Sequence, residues 1–329
     1  MNSKEITEKI RSFALSDAGF DLVGFSSASL PELHENAITQ WVENGFAGTM
    51  EYMARDSQRR AHPEKTLPGA RTVISLAVNY FHPEDPKPEF PAGKVAKYAY
   101  GADYHKIIEK KLKTLAAFIK KEAGPDAEIK SYVDTGPVLE KAFAQQSGLG
   151  FFGKNTNIIT RDFGSWVFLA SLITNLELEV DPPHLGGCGS CRICIDACPT
   201  GALLGNYEMD ARKCISYLTI EDKTGVGETV RESPQQKQIG EWVFGCDICQ
   251  DVCPYNFRAK ITRHKELYPE KKAGTWIDLR KVASIKDDVE FREFFQGSPV
   301  KRPKLAGVLR NVRLAARNQN CELGEIKVR

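Results

Sequence analysis

The sequence has no apolar run of bilayer length. Its longest, 72–80 and 166–173, are strand-sized and far below the roughly 20 residues that a membrane helix requires, so no membrane partner is expected. It also lacks net charge. With 45 Lys and Arg against 43 Asp and Glu, the balance of +2 singles out no class of partner. Residues 1–19 show neither a secretory leader nor a twin-arginine signal, and Arg59-Arg60 lies too far inside the chain to act as one. The expected location is the reducing cytoplasm, where disulfides are rare. Internal repeats and low-complexity tracts are missing, and the glycine-rich stretch 148–156 lacks the Gly-x4-Gly-Lys-Ser/Thr spacing of a nucleotide loop. What is left is an ordinary globular composition, 42% hydrophobic and 27% charged over 329 residues, sufficient for a main core and a smaller second unit.

Against that background the cysteines stand out. One run reads Cys188-x2-Cys191-x2-Cys194-x3-Cys198-Pro199, and a second reads Cys246-x2-Cys249-x3-Cys253-Pro254. Thiolates are the ligands of iron–sulfur cubanes, and in the bacterial two-cluster pattern the Cys before Pro serves the other cluster. That rule groups Cys188, Cys191 and Cys194 with Cys253, and Cys198 with Cys246 and Cys249. The second group is one thiolate short, because Val243 occupies the position where a repeat of the first motif would place a Cys. Cys214 or Cys321 must supply it; Cys214 lies between the motifs, where the connecting chain can fold back, and is the expected ligand. A zinc ribbon would close one site with paired Cys-x2-Cys knuckles, which this triple run overshoots.

The rest of the chain reads as α+β. Helical spacing is seen over 3–18 and 31–44, a short strand over 20–25, and a β-branched strand over 72–81 suited to burial on both faces. Asp103 is a candidate N-cap for a long helix reaching about residue 122, whose entry gathers several Tyr and His105; taken alone, His105 reads as a structural histidine. A strand over 128–133 delivers Asp134 just before Pro137, where a helix would begin. Spacing leaves a capping role and a ligand-site role for Asp134 equally open. Three Gly beside Lys154 and Asn155 imply backbone packed against a large ligand, and 157–160 with 165–174 read as a hairpin of core strands. Gly225 and Gly227 around Val226 mark a surface loop. A final helix is expected over 303–318, with Arg310, Arg313 and Arg317 on one face. Together with the basic stretch 258–272, that face reads equally as a solvated surface and as a candidate for phosphate contacts.

The stretches 97–105, 133–141 and 148–156, the two Cys motifs with Cys214, and the Arg-Pro-Lys and Leu-Arg-Asn pieces within 302–311 resemble epoxyqueuosine reductase over nearly the whole chain. The resemblance implies a nitroreductase-like cobalamin-binding α/β unit over 1–180 and a ferredoxin-like unit with two [4Fe–4S] clusters over 181–257. A basic segment over 258–329 would begin a helical-repeat extension that longer relatives continue. It implies that cluster-reduced cobalamin, as Co(I), opens the epoxide of a modified base in a tRNA anticodon loop, with Asp134 as proton donor. Two electrons and two protons would leave queuosine and water. An external low-potential electron donor and a monomeric enzyme are expected. Positions matching the family's cobalamin contacts are Ser57, Lys97, Ile158, Leu169, Ser216 and Asp247, beside Asp134. The Asp-x-His-x-x-Gly signature is absent at 103–108, so His105 is not expected to ligate cobalt. For Asp134 to donate near neutral pH, burial should raise its pKa. The competing readings are a reductive dehalogenase-like enzyme and a non-catalytic electron carrier.

Overall fold

The computed structural model describes residues 2–55, 57–223, 237–269 and 272–323; the expected loop around Val226 lies outside the described residues. The first half runs from α1 (Ser3–Leu15) through β1 (Leu22–Ser27), α2 (Glu32–Glu43), α3 (Glu51–Arg55) and α4 (Ser57–Ala61) to β2 (Thr72–Asn79) and β3 (Ala92–Val95). It continues with α5 (Tyr104–Ala123), β4 (Ile129–Tyr132), α6 (Glu140–Gln146), β5 (Phe151–Phe152), β6 (Ile158–Ile159) and β7 (Val167–Thr174). The cysteine-bearing part holds α7 (Ile193–Asp196), β8 (Leu203–Gly205), β9 (Glu208–Met209), α8 (Ile215–Ile220), β10 (Trp242–Phe244) and α9 (Ile248–Asp251). Then follow β11 (Trp276–Asp278), α10 (Leu279–Ala283), α11 (Asp288–Phe294) and α12 (Lys304–Asn318).

Period-two alternation decides how the main sheet is covered. The sheet is antiparallel in the order β1-β2-β7-β4, and every residue of β2 is buried. Ile74, Leu76 and Val78 face one side, joining Ile6 and Ile10 of α1 and Ile108 and Leu112 of α5. Val73 faces the other side, with Ile173 and Phe143 of α6. Each fully buried aliphatic side chain here contributes roughly 2 kcal/mol of transfer free energy. α1 and α5 are locked together by Phe13 stacked on Phe118 at 3.9 Å. Asp103 caps α5 as expected, its side chain accepting the His105 N–H. The expected hairpin of 157–160 with 165–174 is reduced to one bridge, Thr160 to Gly164. β6 pairs instead with β5, and β7 lies between β2 and β4.

A second sheet, β10-β3-β11, joins a strand from the first half to two from the last third. Its core of Val95, Val243, Phe244 and Ile277 is covered by Leu305, Val308, Leu309 and Val312 of α12. Val243 is therefore a fully buried strand residue whose side chain packs into this core.

The arginine face expected of the last helix is not one surface. Arg310 is buried, and its guanidinium donates to the carbonyls of Leu218 at 2.6 Å and Asp222 at 2.8 Å. Further upstream, Arg263 pairs with buried Asp21 at 2.9 Å, and Lys260 lies 3.7 Å from Asp162. Helical periodicity could align these charges but could not show that protein groups satisfy them. Arg310→Ala leaves buried carbonyls without a donor, and a loss of about 3 kcal/mol in stability is expected from chemical denaturation. RNA affinity is expected to stay unchanged in the folded fraction.

Candidate active site and cluster loops

Cys188, Cys191, Cys194 and Cys253 line one cavity of about 280 Å³, together with Lys154, Asn155, Ile193 and Tyr255. The remaining motif thiols gather beside it. Burial raises the pKa of Cys246, with Asp247 and then Cys214 and Cys198 adding to the effect, and Cys249 feels Cys246, Cys214 and also Cys194 of the first group. Cys198, Cys214, Cys246 and Cys249 are thus within electrostatic reach of one another, and Cys249 also of the first group. Cys321 belongs to neither, being packed against the core beneath α12. Among the described residues no group of three His, Cys, Asp or Glu side chains is placed to hold a single metal ion.

The turn between β5 and β6 straps both cysteine loops. Lys154 donates its backbone N–H to Cys188 Sγ at 3.4 Å, and its Nζ donates to the carbonyls of Gly189 and Cys191 at 2.7 and 3.0 Å. Asn155 Nδ2 donates to the Cys249 carbonyl at 3.4 Å. The glycines here serve the chain itself: a Cβ on Gly150 would lie 2.4 Å from the Ile159 carbonyl oxygen. The large ligand inferred from Gly, Lys and Asn is, at this turn, the pair of cysteine loops.

Above the second thiol set lies a cleft in two parts that meet at Tyr98, Tyr104 and Asp134. The inner part, about 220 Å³, has Ile158, Val167, Phe168 and Leu169 on its walls, with Glu140 and Lys141. The outer part, about 1000 Å³, is rimmed by Arg55, Arg59, Arg60, Lys301 and Arg302 and by Tyr52 and Tyr132. That volume stands at the upper end of small-molecule sites. Lys141 feels the charges of Asp134, Cys249, Glu140 and Cys214 together, so the second thiol set borders the cleft.

Asp134 stands in the loop between β4 and α6 with φ of +58°, a left-handed conformation that Asp tolerates better than most residues. Its side chain is 61% exposed, toward the cleft. Tyr104 donates its hydroxyl to Oδ2 at 2.9 Å, and His105 Nε2 lies 3.3 Å from the same oxygen. His105 Nδ1 contacts Asp103 at 2.7 Å. The cleft walls push the Asp134 carboxyl up, but the hydrogen bonds from His105 and Tyr104 and the charges of His105 and Arg302 outweigh them, holding it below its usual range. For His105 burial works downward, and the hydrogen bonds and charges of Asp103 and Asp134 override it, pushing the imidazole up to about 9. Burial and the nearby Asp134 charge raise Glu140 to about 8. The expected upward shift of Asp134 is thus reversed, because an imidazolium stands beside it.

Comparison with known proteins adds to this geometry. A family model described as epoxyqueuosine reductase QueG, DUF1730, matches residues 60–135, and one described as a 4Fe-4S double cluster binding domain matches 187–256. The epoxyqueuosine reductase of Leadbetterella byssophila is 41% identical over 94% of this chain and 98% of its own length. The chain belongs to the epoxyqueuosine reductase family. A crystal structure of an epoxyqueuosine reductase with an epoxyqueuosine-modified tRNA-Tyr stem loop superposes with a TM-score of 0.86 at 31% identity, covering 96% of this chain and 82% of that one. A Bacillus subtilis family structure, with its catalytic aspartate loop swung out of the active site, gives 0.84 at 29% identity over the same shares.

Of the positions carried over from the epoxyqueuosine reductase family, Asp134, Ile158 and Leu169 line the inner cavity. Lys97 and Asp247 lie buried outside its lining: Asp247 Oδ2 accepts the Lys97 N–H at 2.7 Å, and Lys97 Nζ reaches Asp251 at 2.6 Å over the face of Trp166. Burial lifts Asp247 to about 7. Ser216 sits on α8, two residues after Cys214, and Ser57 opens α4 two residues before Arg59. Sequence reasoning gave no role to Glu140 or to the arginines of the rim. Only the Arg59-Arg60 pair gave a visible signal, and it had been weighed solely as an export motif.

Proposed function

We propose that this chain reduces epoxyqueuosine to queuosine in the anticodon loop of tRNA, with Asp134 delivering a proton to the epoxide oxygen. The observation that carries the reading is the position of Asp134, where an inner cavity beside thiol ligands meets an outer, arginine-rimmed cleft. The two thiol sets fit two [4Fe–4S] clusters, with Cys188, Cys191, Cys194 and Cys253 holding one and Cys198, Cys214, Cys246 and Cys249 the other. Cobalamin is far larger than the inner part alone and would occupy the joined cleft, with the apolar wall of Ile158 and Leu169 and the side chain of Glu140 at its inner end. Tyr98 and Phe168 would pack against it, and Ser57, Lys97, Ser216 and Asp247 would act from the second layer or through backbone groups. Together these groups supply low-potential electrons and a reduced cobalt centre.

The chain's own residues handle the proton and the RNA. At neutral pH the Asp134 and His105 pair holds one transferable proton, resident on the imidazole. As the epoxide C–O bond breaks and charge grows on oxygen, the imidazolium proton moves across 3.3 Å from His105 to Asp134 and on to that oxygen, leaving His105 neutral, and the second proton comes from solvent. Two electrons and two protons convert the epoxide to the alkene and water. The reducing equivalents would come one at a time from an external low-potential donor, to a monomer working in the cytoplasm where the tRNA is. The division into 1–180, 181–257 and 258–329 is supported by the family models, which fall inside the first two.

Arg55 and Arg59, exposed on the rim, would contact phosphates flanking the modified base. Replacing both with Ala should weaken tRNA binding severalfold and flatten the logarithmic salt dependence by about 0.7 to 0.9 per lost contact. An unchanged slope in a filter-binding titration would remove the rim from the RNA interface. The reading as a whole is tested by incubating reconstituted protein and reductant with epoxyqueuosine tRNA under anaerobic conditions. Nucleoside mass spectrometry should show queuosine, and its absence would overturn the assignment.

A further inference from the structure

Glu140 is the least explained polar group of the cleft. It is the first residue of α6, and its Oε2 accepts the backbone N–H of Asp134 at 3.0 Å. Its Oε1 is shut off from solvent, has no hydrogen-bond partner, and belongs to a residue lining the inner cavity. A buried carboxyl oxygen without a partner costs free energy, so its retention calls for a compensating role. The Asp134 backbone supplies one. Residue 134 is held in a left-handed conformation, and the loop around it has few other ties: Thr135 N–H to the Val133 carbonyl, Arg60 Nη1 to the Gly136 carbonyl, and Leu139 N–H to the Arg60 carbonyl. The Glu140 contact is the one of these made to Asp134 itself through its main chain.

We propose that Glu140 is a positioning residue: its Oε2 latches Asp134 through the main-chain N–H, and, as part of the inner cavity wall, its side chain is held in that position by the group that packs against the wall. Occupancy of that cavity would then reinforce the latch, coupling cofactor binding to the placement of the proton donor. The inference rests on reading Asp134 as that donor. Asp134's side-chain bonds to Tyr104 and His105 fix where the carboxylate points, and the Glu140 bond fixes the main chain from which it projects.

The test compares full-length, cluster-loaded wild type, Glu140→Ala and Glu140→Gln, with and without cobalamin, after matched iron content and thermal melting show each to be folded. Backbone amide exchange across 133–139 is read by mass spectrometry, beside single-turnover rates and KM for tRNA. Losing one buried hydrogen bond predicts that E140A speeds exchange by about tenfold to a hundredfold and slows turnover comparably, with KM within about twofold. E140Q keeps an acceptor oxygen and should stay within about threefold of wild type in both readouts. Cobalamin should slow exchange in wild type and leave E140A unaffected. Exchange in E140A equal to wild type, E140Q matching E140A, or an equal cobalamin effect in all three proteins overturns the proposal. If Asp134→Ala instead retains activity, the donor reading alone fails, and the exchange comparison still decides the latch.

Discussion

Asp134→Asn lowers the single-turnover rate by about a thousandfold, within the range expected for removing a general acid, while leaving tRNA affinity and cluster content intact. Asn is the better variant because it accepts the left-handed backbone seen at this position, whereas Ala would add about 1 kcal/mol of strain. The amide retains the shape of the carboxylate and cannot relay a proton. In wild type the pH profile should stay level through neutrality and fall above about 9, as His105 loses the proton that Asp134 transmits. The stability contribution has a defined sign. His105 binds its proton more tightly folded than unfolded, so its share is whole below about 6.5 and lost as pH rises through about 9. Asp134, held below its ordinary value, contributes above that value, and its share is lost as pH falls. Melting curves across this range, compared with His105→Asn, would show both limbs; a flat difference would remove the ion pair from the account.

The second large effect concerns the thiols. Cys253→Ala and Cys214→Ala should each reduce bound iron from about eight to about four per chain and abolish turnover, since either loss breaks the path for electrons. Cys321→Ala should keep both iron and activity, because that sulfur packs beneath the last helix and not among the other eight. Iron analysis with low-temperature EPR separates the cases. Loss of a cluster in C321A, with retention in C214A, would reverse the assignment of the eighth ligand.

How far the sequence could be read depended on whether the determinant was local. Cysteine spacing is local, because one tight loop must present three sulfurs to one cluster, and the double-cluster family model matches the stretch that carries both motifs. The N-cap of α5 is local too, and Asp103 accepts the His105 N–H as its position required. The surroundings of Asp134 are not. Its strand-end position was visible in 128–137, but its charge state depends on an imidazole 29 residues upstream. Arg310 failed for the same reason: periodicity placed it on a helix face, and the carbonyls it serves lie 88 and 92 residues earlier. The Gly-Lys-Asn turn was recognised as a place of close approach, yet nothing local distinguished a cofactor from another loop of the same chain.

The strand β3 carries one more implication, for the time at which the enzyme comes into being. It lies between β10 and β11, strands translated about 150 and 180 residues later. At cellular elongation rates that gap is on the order of ten seconds. The main sheet can close as soon as β7 has emerged, but the segment leading into Tyr98, Tyr104 and His105 stays without its partners until the last third is made. Birth of the cleft is therefore a late event in the life of the nascent chain, and cofactor insertion belongs after the strands of the last third have emerged.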